Sequence, residues 1–516
     1  MDSYKGITRL GGMAYDTESS LAPAALARTG IEGLDHILRG GLAKDRIYLV
    51  EGVPGSGKTT LAMQFLLEGA RLGESVLYVT LSETAAELRG VADSHGWSLD
   101  GLHVHELLPS AEVLESDEPY TLFHPSEVEL SRTTEGILSE VHRLKPSRVV
   151  FDSLSEIRLM AGAALRYRRQ ILALKRYFAD CDCTVILLDD LTATERDLQV
   201  QSIAHGVILL EQMNPEYGAE RRRLRVVKYR GVPFRGGFHD YLIQRGGLRV
   251  FPRLVAAEHR QSMEGPVLSS GIEGLDKLLG GGLDMGTSTL VMGAPGTGKS
   301  SLAAQFVHAA LERGQPAAMF VFDESAHTLL NRSRSLGIDL YPHAESGALH
   351  VQAVDPAELA PGEFTEAIRA AVENEGARVV VIDSLNGYLN AMPEERFLII
   401  QLHELLSYLA QRGVATIIVA AQQGLLGGPM HSPVDTTYLA DGVILLRYFE
   451  FAGEVRQAIS VIKKRSGPHE RTIREFRLEP GRIVVGEALR RFHGVLTGVP
   501  EYDAHGGELT FDGEDP

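Results

Sequence analysis

Apolar residues fall along this chain in two kinds of run. Short, almost unbroken runs read "RIYLVEG" at 46–52, "SVLYVTL" at 75–81, "SRVVFDSLS" at 147–155 and "CTVILLDD" at 183–190. A second set reads "TSTLVMG" at 287–293, "AAMFVFD" at 317–323, "ARVVVIDSLN" at 377–386 and "ATIIVAAQQ" at 415–423. Runs of this length without polar alternation predict strands buried on both faces. Between them, "KTTLAMQFLLEGARLG" at 58–73 and "KSSLAAQFVHAALERG" at 299–314 space their apolar residues helically and close on glycine, a helix stop signal. Strands alternating with helices predict an α/β fold, a mainly parallel sheet flanked by helices.

The pattern occurs twice. "TGIEGLDHILRGGL" at 29–42 returns as "SGIEGLDKLLGGGL" at 270–283. The pairs Gly30/Gly271, Lys58/Lys299 and Glu83/Glu324 keep one offset of 241 residues (299 − 58). Three motifs at one spacing predict a tandem duplication rather than a solenoid of short repeats. The expected layout is a polar lead-in over 1–20, one domain over 21–255, a second over 256–488, and a C-terminal loop with an acidic tail over 489–516.

Each copy carries a phosphate-binding loop, "GVPGSGKTT" (Gly52, Pro54, Gly55, Ser56, Gly57, Lys58, Thr59, Thr60) and "GAPGTGKSS" (Gly293, Pro295, Gly296, Thr297, Gly298, Lys299, Ser300, Ser301). Glycines let backbone N–H groups curve round phosphates at a helix N-terminus, which adds partial positive charge. Lys58 and Lys299 are expected on the β/γ-phosphates of ATP, and the Thr59 and Ser300 hydroxyls on Mg²⁺. Asp152 and Asp383, each ending an apolar run, suit the acid that orients the metal. A strand-end aspartate is also an ordinary turn or cap residue. The second run of each copy ends in acid: Glu83 after Ser82, and the pair Asp323–Glu324. A carboxylate there can serve as general base for the attacking water, and two adjacent ones raise each other's pKa. The alternative for these acids is a solvated loop.

Composition narrows the class. Of 516 residues 44% are hydrophobic and 23% charged, which suits soluble globular domains in number rather than one. No eighteen-residue apolar stretch predicts a membrane span, and the N-terminus lacks a signal-peptide pattern, so a cytoplasmic protein is expected. Cys181 and Cys183 lack a second pair to complete a zinc site and read as plain thiols. A net charge of −17 disfavours a long nucleic-acid groove, and the cluster "ERRRLRVVKYRG" at 220–231 reads as a strand whose Arg221–Arg223 are solvated. The stretch "EYDAHGGELTFDGEDP", with no Lys or Arg, reads as a disordered tail.

With these pieces together, the chain resembles the KaiC circadian-clock ATPase and autokinase family, within the RecA-like superfamily, from about Gly30 to about Pro500. The carriers are the doubled "GIEGLD", the two loops, "FDESAHTLLNRSRSLGI", "ADGVILLRYFEFAGEVRQAISVIKKR" and "TIREFRLE". The resemblance implies two tandem RecA-like P-loop domains assembled into a two-tiered homohexamer, with ATP between neighbouring subunits. Lys228 and Arg230 in "VVKYRG", and Lys463 and Arg465 in "VIKKRSG", match family residues that reach the neighbour's nucleotide. Two cations in trans would offset charge on the transferring phosphoryl group; without the resemblance they read as exposed strand charge.

The family's N-terminal ring is a slow ATPase and its C-terminal ring phosphorylates itself on adjacent Ser and Thr. The matching pair here is Thr437 and Tyr438, with Thr436 a nearby hydroxyl. Tyr438 departs from the family's threonine and reads as a packing aromatic. Ser82 stands in place of a glutamate, and Phe234 in place of a nucleotide-contacting histidine. The segment "LRRFHGVLTGVPEYD" resembles the tail read by a KaiA-like activator, and a KaiB-like partner is the other protein the resemblance implies. The expected function is an ATP-dependent timing or regulatory protein with serine/threonine autokinase activity. The alternatives are an ATP-assembled scaffold without kinase activity and a DNA recombinase or helicase.

Overall fold

The computed structural model describes residues 25–107, 125–191, 198–215, 218–259, 267–389, 395–422, 439–495 and 501–502. Thr436, Thr437 and Tyr438, the 1–20 lead-in and the last fourteen residues (503–516) lie outside them. By contact density the chain divides into one compact unit of 1–209, 226–235 and 244–247, and another of 210–225, 236–243 and 248–516.

The first sheet is built from β1 (Ile47–Gly52), β2 (Val76–Thr80), β3 (Leu102–Glu106), β4 (Arg148–Asp152), β5 (Thr184–Asp190), β6 (Gly206–Met213), β7 (Arg221–Tyr229), β8 (His239–Gln244) and β9 (Gly247–Phe251). The second repeats it with β10 (Ser288–Gly293), β11 (Ala317–Val321), β12 (Leu349–Ala353), β13 (Val379–Asp383), β14 (Ala415–Ala421), β15 (Gly442–Phe451), β16 (Glu454–Lys464), β17 (Arg474–Glu479) and β18 (Arg482–Ala488). Strand order is β3-β2-β4-β5-β1-β6-β7-β8-β9 in the first and β12-β11-β13-β14-β10-β15-β16-β17-β18 in the second, the same order position for position. In the second sheet β12 to β15 run parallel through the centre, and β15 to β18 form an antiparallel extension.

Helices α1 (Lys58–Arg71), α2 (Ala85–His95) and α3 (Leu198–Ile203) belong to the first copy. In the second copy lie α4 (Lys299–Leu311), α5 (Ala326–Ser335), α6 (Tyr341–Glu345), α7 (Pro361–Glu373) and α8 (Glu395–Gln411). The second sheet explains the unbroken apolar runs. Val291, Met319, Val381 and Ile417 face one core with Leu302 and Phe306 of α4. Their alternate neighbours Leu290, Phe320, Ile382 and Ile418 face another with Phe364 of α7 and Leu402 of α8. Side chains alternate along a strand, so a sheet covered on both faces needs every position apolar.

Cys183 is buried just ahead of β5, where burial pushes its thiol up to about 12. β7 forms over the basic cluster, but Arg221 is buried rather than solvated. Its guanidinium donates to the carbonyls of Pro356, Ala357 and Glu358 within the second compact unit, contacts no local charge pattern discloses. No helix among the described residues is long and apolar enough to cross a membrane.

Candidate functional site

In the first copy β1, buried along its whole length, delivers the chain to the glycine loop. Gly57 caps α1 in the left-handed region (φ 88°), where a side chain would be strained, so that Lys58 opens the helix. The Lys58 ammonium donates to the carbonyls of Gly52 (2.9 Å) and Val53 (3.1 Å) and pairs with Asp190 Oδ1 at 2.7 Å. The Thr59 hydroxyl donates to Asp152 Oδ2 at 3.1 Å, and the buried Tyr78 hydroxyl donates to the same oxygen at 2.5 Å. Burial raises the Asp152 carboxyl, and the Tyr78 and Thr59 donors oppose the rise.

Glu83 follows β2 by three residues. Its N–H donates to Thr80 Oγ1 (2.9 Å), whose hydroxyl donates back to the Glu83 carbonyl (2.7 Å). One residue on, Thr84 and Glu87 close a capping box on α2. Glu83 is thus gripped from both sides. Its Oε2 is buried with no hydrogen-bond partner among the described residues, and burial pushes its carboxyl above the ordinary range, with Asp152, Glu87 and Asp190 adding to the rise. In the copy with a single acid, then, burial is the chief cause of the raised carboxyl, with no acid next to it in sequence.

The second copy repeats the frame with different fittings. Gly298 (φ 94°) caps α4, Lys299 donates to the Ala294 carbonyl at 2.8 Å, and Thr297 Oγ1 donates to the same carbonyl at 2.8 Å. Burial lowers the Lys299 ammonium, against the charges of Asp383 and Asp323. Asp383 is 7% exposed, and burial lifts its carboxyl to about 6; a hydrogen bond from Ser300 opposes the rise, while Glu324 and Asp323 add to it. A cleft of about 530 Å³ joins Lys299, Ser300, Asp323, Glu324 and Asp383. Arg332 reaches into it from α5, donating to Glu324 Oε1 at 2.6 Å and to Ser301 Oγ at 2.9 Å. The base candidate Glu324 is therefore held in an ion pair, whereas Glu83 has none among the described residues.

These fittings suit a magnesium nucleotide. Asp383 Oδ2 is buried without a hydrogen-bond partner among the described residues, an uncompensated acceptor beside the Ser300 hydroxyl. A hard divalent cation held by hydroxyl and carboxylate oxygens satisfies such a group. The glycine cradle is equally specific: a Cβ on Gly298 would lie 2.9 Å from Phe476 Cε1.

The Lys-x-Arg pairs lie elsewhere on the sheets. Lys463 pairs in register with Val443, and Val443 with Leu290, so the second pair sits near the start of β10, whereas the loop leaves its end at Gly293. Three residues of strand separate the level of Lys463 from Gly293 by roughly 10 Å. Lys463 donates to the Ala440 carbonyl at 2.7 Å, and the exposed Arg465 lies 3.5 Å from Asp441 Oδ1. In the first copy Lys228 donates to the carbonyls of Gln201 and Ala204 (both 2.7 Å), and the exposed Arg230 to that of Ser202 (2.9 Å). Both pairs thus lie at the strand end opposite their own copy's loop.

Tyr78, Asp190 and Arg332 were not legible as site residues. Overlaying the copies at the 241-residue offset exposes two of them, since Tyr78 faces Met319 and Arg332 faces Val91. Asp190 needs strand register: it pairs with Gly52, as Ala421 pairs with Gly293.

Comparison with known proteins agrees with this duplication. A family model described as "ATPase: KaiC" matches twice, over residues 27–255 and 268–490. The "Circadian clock protein KaiC3" of Synechocystis sp. is 28% identical over 485 residues, 92% of this chain and 94% of that protein. The "Circadian clock oscillator protein KaiC" of Picosynechococcus sp. is 28% identical over 92% of each chain. Its namesake from Thermostichus vulcanus is 28% identical over 94% of this chain and 93% of its own.

Proposed function

The chain belongs to the KaiC ATPase family, and from that premise we propose an ATP-dependent regulatory protein whose first copy hydrolyses ATP and whose second transfers phosphate to its own chain. The observation that carries this reading is the repeated set of loop lysine, loop hydroxyl and buried strand-end aspartate, joined in the second copy by the unpartnered Asp383 oxygen. Thr59 and Asp152, or Ser300 and Asp383, would hold Mg²⁺, which would supply charge neutralisation on the phosphates.

The chain's own residues divide the remaining work. Lys58 and Lys299 hold phosphate oxygens, and the backbone N–H groups of the glycine loops donate to them. Glu83, its carboxyl raised by burial, takes the proton from the water that attacks the terminal phosphorus, releasing ADP and phosphate. In the second copy Glu324 or Asp323 takes the proton of an acceptor hydroxyl as its oxygen bonds to the terminal phosphorus and ADP leaves, with Thr437 the best matched acceptor, Thr436 next and Tyr438 last. Neighbouring copies complete each site with Lys228 and Arg230, or Lys463 and Arg465, in a homohexamer; their distance from their own loops favours contact in trans. KaiB-like and KaiA-like proteins are the partner classes this assembly would meet in a cytoplasmic clock or timing role.

A second reading draws on Arg332. With its Oε1 held by the Arg332 guanidinium, Glu324 reaches an acceptor hydroxyl only by leaving that contact, which favours an ATP-assembled scaffold without kinase activity. One experiment separates the two. Wild type and Lys299→Ala are incubated with γ-labelled ATP and Mg²⁺, and phosphosites are mapped by mass spectrometry. Label at Thr436, Thr437 or Tyr438 in wild type alone supports the kinase. ATP hydrolysis with no label leaves the scaffold reading.

A further inference from the structure

The helix that opens with Lys299 carries a different chemistry at its other end. His308 lies in the last turn of α4, Glu312 caps it one turn later, and His343 comes from the short helix α6. Their ligand atoms all lie within 4.8 Å of one another. His343 Nε2 is 3.1 Å from Glu312 Oε1, and the two imidazole rings stand nearly perpendicular (84°) with centroids 6.1 Å apart. The His308–Glu312 spacing of one helical turn puts both side chains on one face of α4.

Comparison of the two copies shows that this grouping is peculiar to the second. At the 241-residue offset, His308 and Glu312 face Leu67 and Arg71 in α1, an apolar residue and a cation. The third member has no counterpart. The offset is still 241 at Gly96 and Gly337 (337 − 96), but 247 between the starts of β3 and β12 (349 − 102). The six added residues bring in α6, and with it His343. Two imidazoles and a carboxylate thus meet where the duplicated fold by itself supplies none.

We propose that His308, Glu312 and His343 form a binding site for a borderline-soft divalent metal ion of the zinc type, at the end of α4 opposite the phosphate loop. Two nitrogen donors and one carboxylate leave a fourth position for water. Nitrogen donors select against Mg²⁺, which prefers an all-oxygen shell, so the site is chemically distinct from the nucleotide positions. The bound ion would tie α6 to the helix that carries Lys299 and Ser300.

The test uses the full chain without an affinity tag, dialysed against Zn²⁺ in the presence of excess Mg²⁺ and ADP. Bound zinc is counted by atomic emission, and melting is followed with and without Zn²⁺. The expected result is one Zn²⁺ per wild-type chain, a higher melting temperature with zinc, and affinity weakened about tenfold or more in both His343→Ala and Glu312→Ala. The Glu312 side chain is 60% exposed, so its removal leaves the fold intact and keeps the comparison meaningful. No tight zinc binding by wild type, or binding unchanged in His343→Ala or in Glu312→Ala, overturns the proposal.

Discussion

At the scale of single residues, Glu83 governs a pH response whose sign follows from its surroundings. Burial holds its carboxyl above the ordinary glutamate value, so the folded chain binds this proton more tightly than the unfolded chain does. The stabilisation is fully present below the unfolded pKa and is lost as pH rises through the raised folded value. Glu83→Gln removes that loss. In nucleotide-free protein its urea midpoint should gain on wild type as pH rises through the raised value, and the gain should vanish in acid. The same substitution removes the proposed base. In a Lys299→Ala background, where the first copy carries the hydrolysis, it should lower the rate about 10²- to 10⁴-fold. A midpoint difference that shrinks with rising pH would contradict the first part, and an unchanged rate the second.

At the scale of elements, the loop-to-helix junction depends on one backbone conformation. Gly298 holds φ 94°, and a Cβ there would press on Phe476 Cε1 at 2.9 Å and Leu478 Cδ1 at 3.0 Å. Gly298→Ala should cost about 1–3 kcal/mol and abolish nucleotide binding by the second copy, read by fluorescent-ATP titration. Gly314→Ala, after the same helix at φ 72° with nothing within 4 Å, should cost about 1 kcal/mol and leave binding unchanged. Elements of this kind were legible from the pattern of residues. Unbroken apolar runs give strands buried on both faces, and the loop motif fixes where α1 and α4 begin. What lay beyond the pattern depends on register and reach. Tyr78 meets Asp152, and Arg332 meets Glu324 and Ser301, only once strands and helices are laid side by side. The three-residue metal cluster depends on α6, an insertion whose polar sequence announces no ligand until its helix folds against α4.

At the scale of the whole molecule, the two Lys-x-Arg pairs make a claim about assembly that a mixing experiment decides. Arg465 sits level with the start of β10, at the strand end opposite the loop on which we place the phosphates. In a ring of heterologous contacts each subunit lends its arginine to the next. Lys299→Ala chains then keep a working arginine, and Arg465→Ala chains a working loop. Mixed in equal amounts without nucleotide and assembled by adding Mg²⁺-ATP, about a quarter of the interfaces join an intact loop to an intact arginine. Second-copy ATP turnover, read as ADP formed, should therefore rise above the mean of the two variants measured apart, towards a quarter of the wild-type increment. Glu83→Gln in both chains suppresses the first copy's contribution. A site completed within one chain gives no such recovery, because every chain in the mixture then carries one broken half.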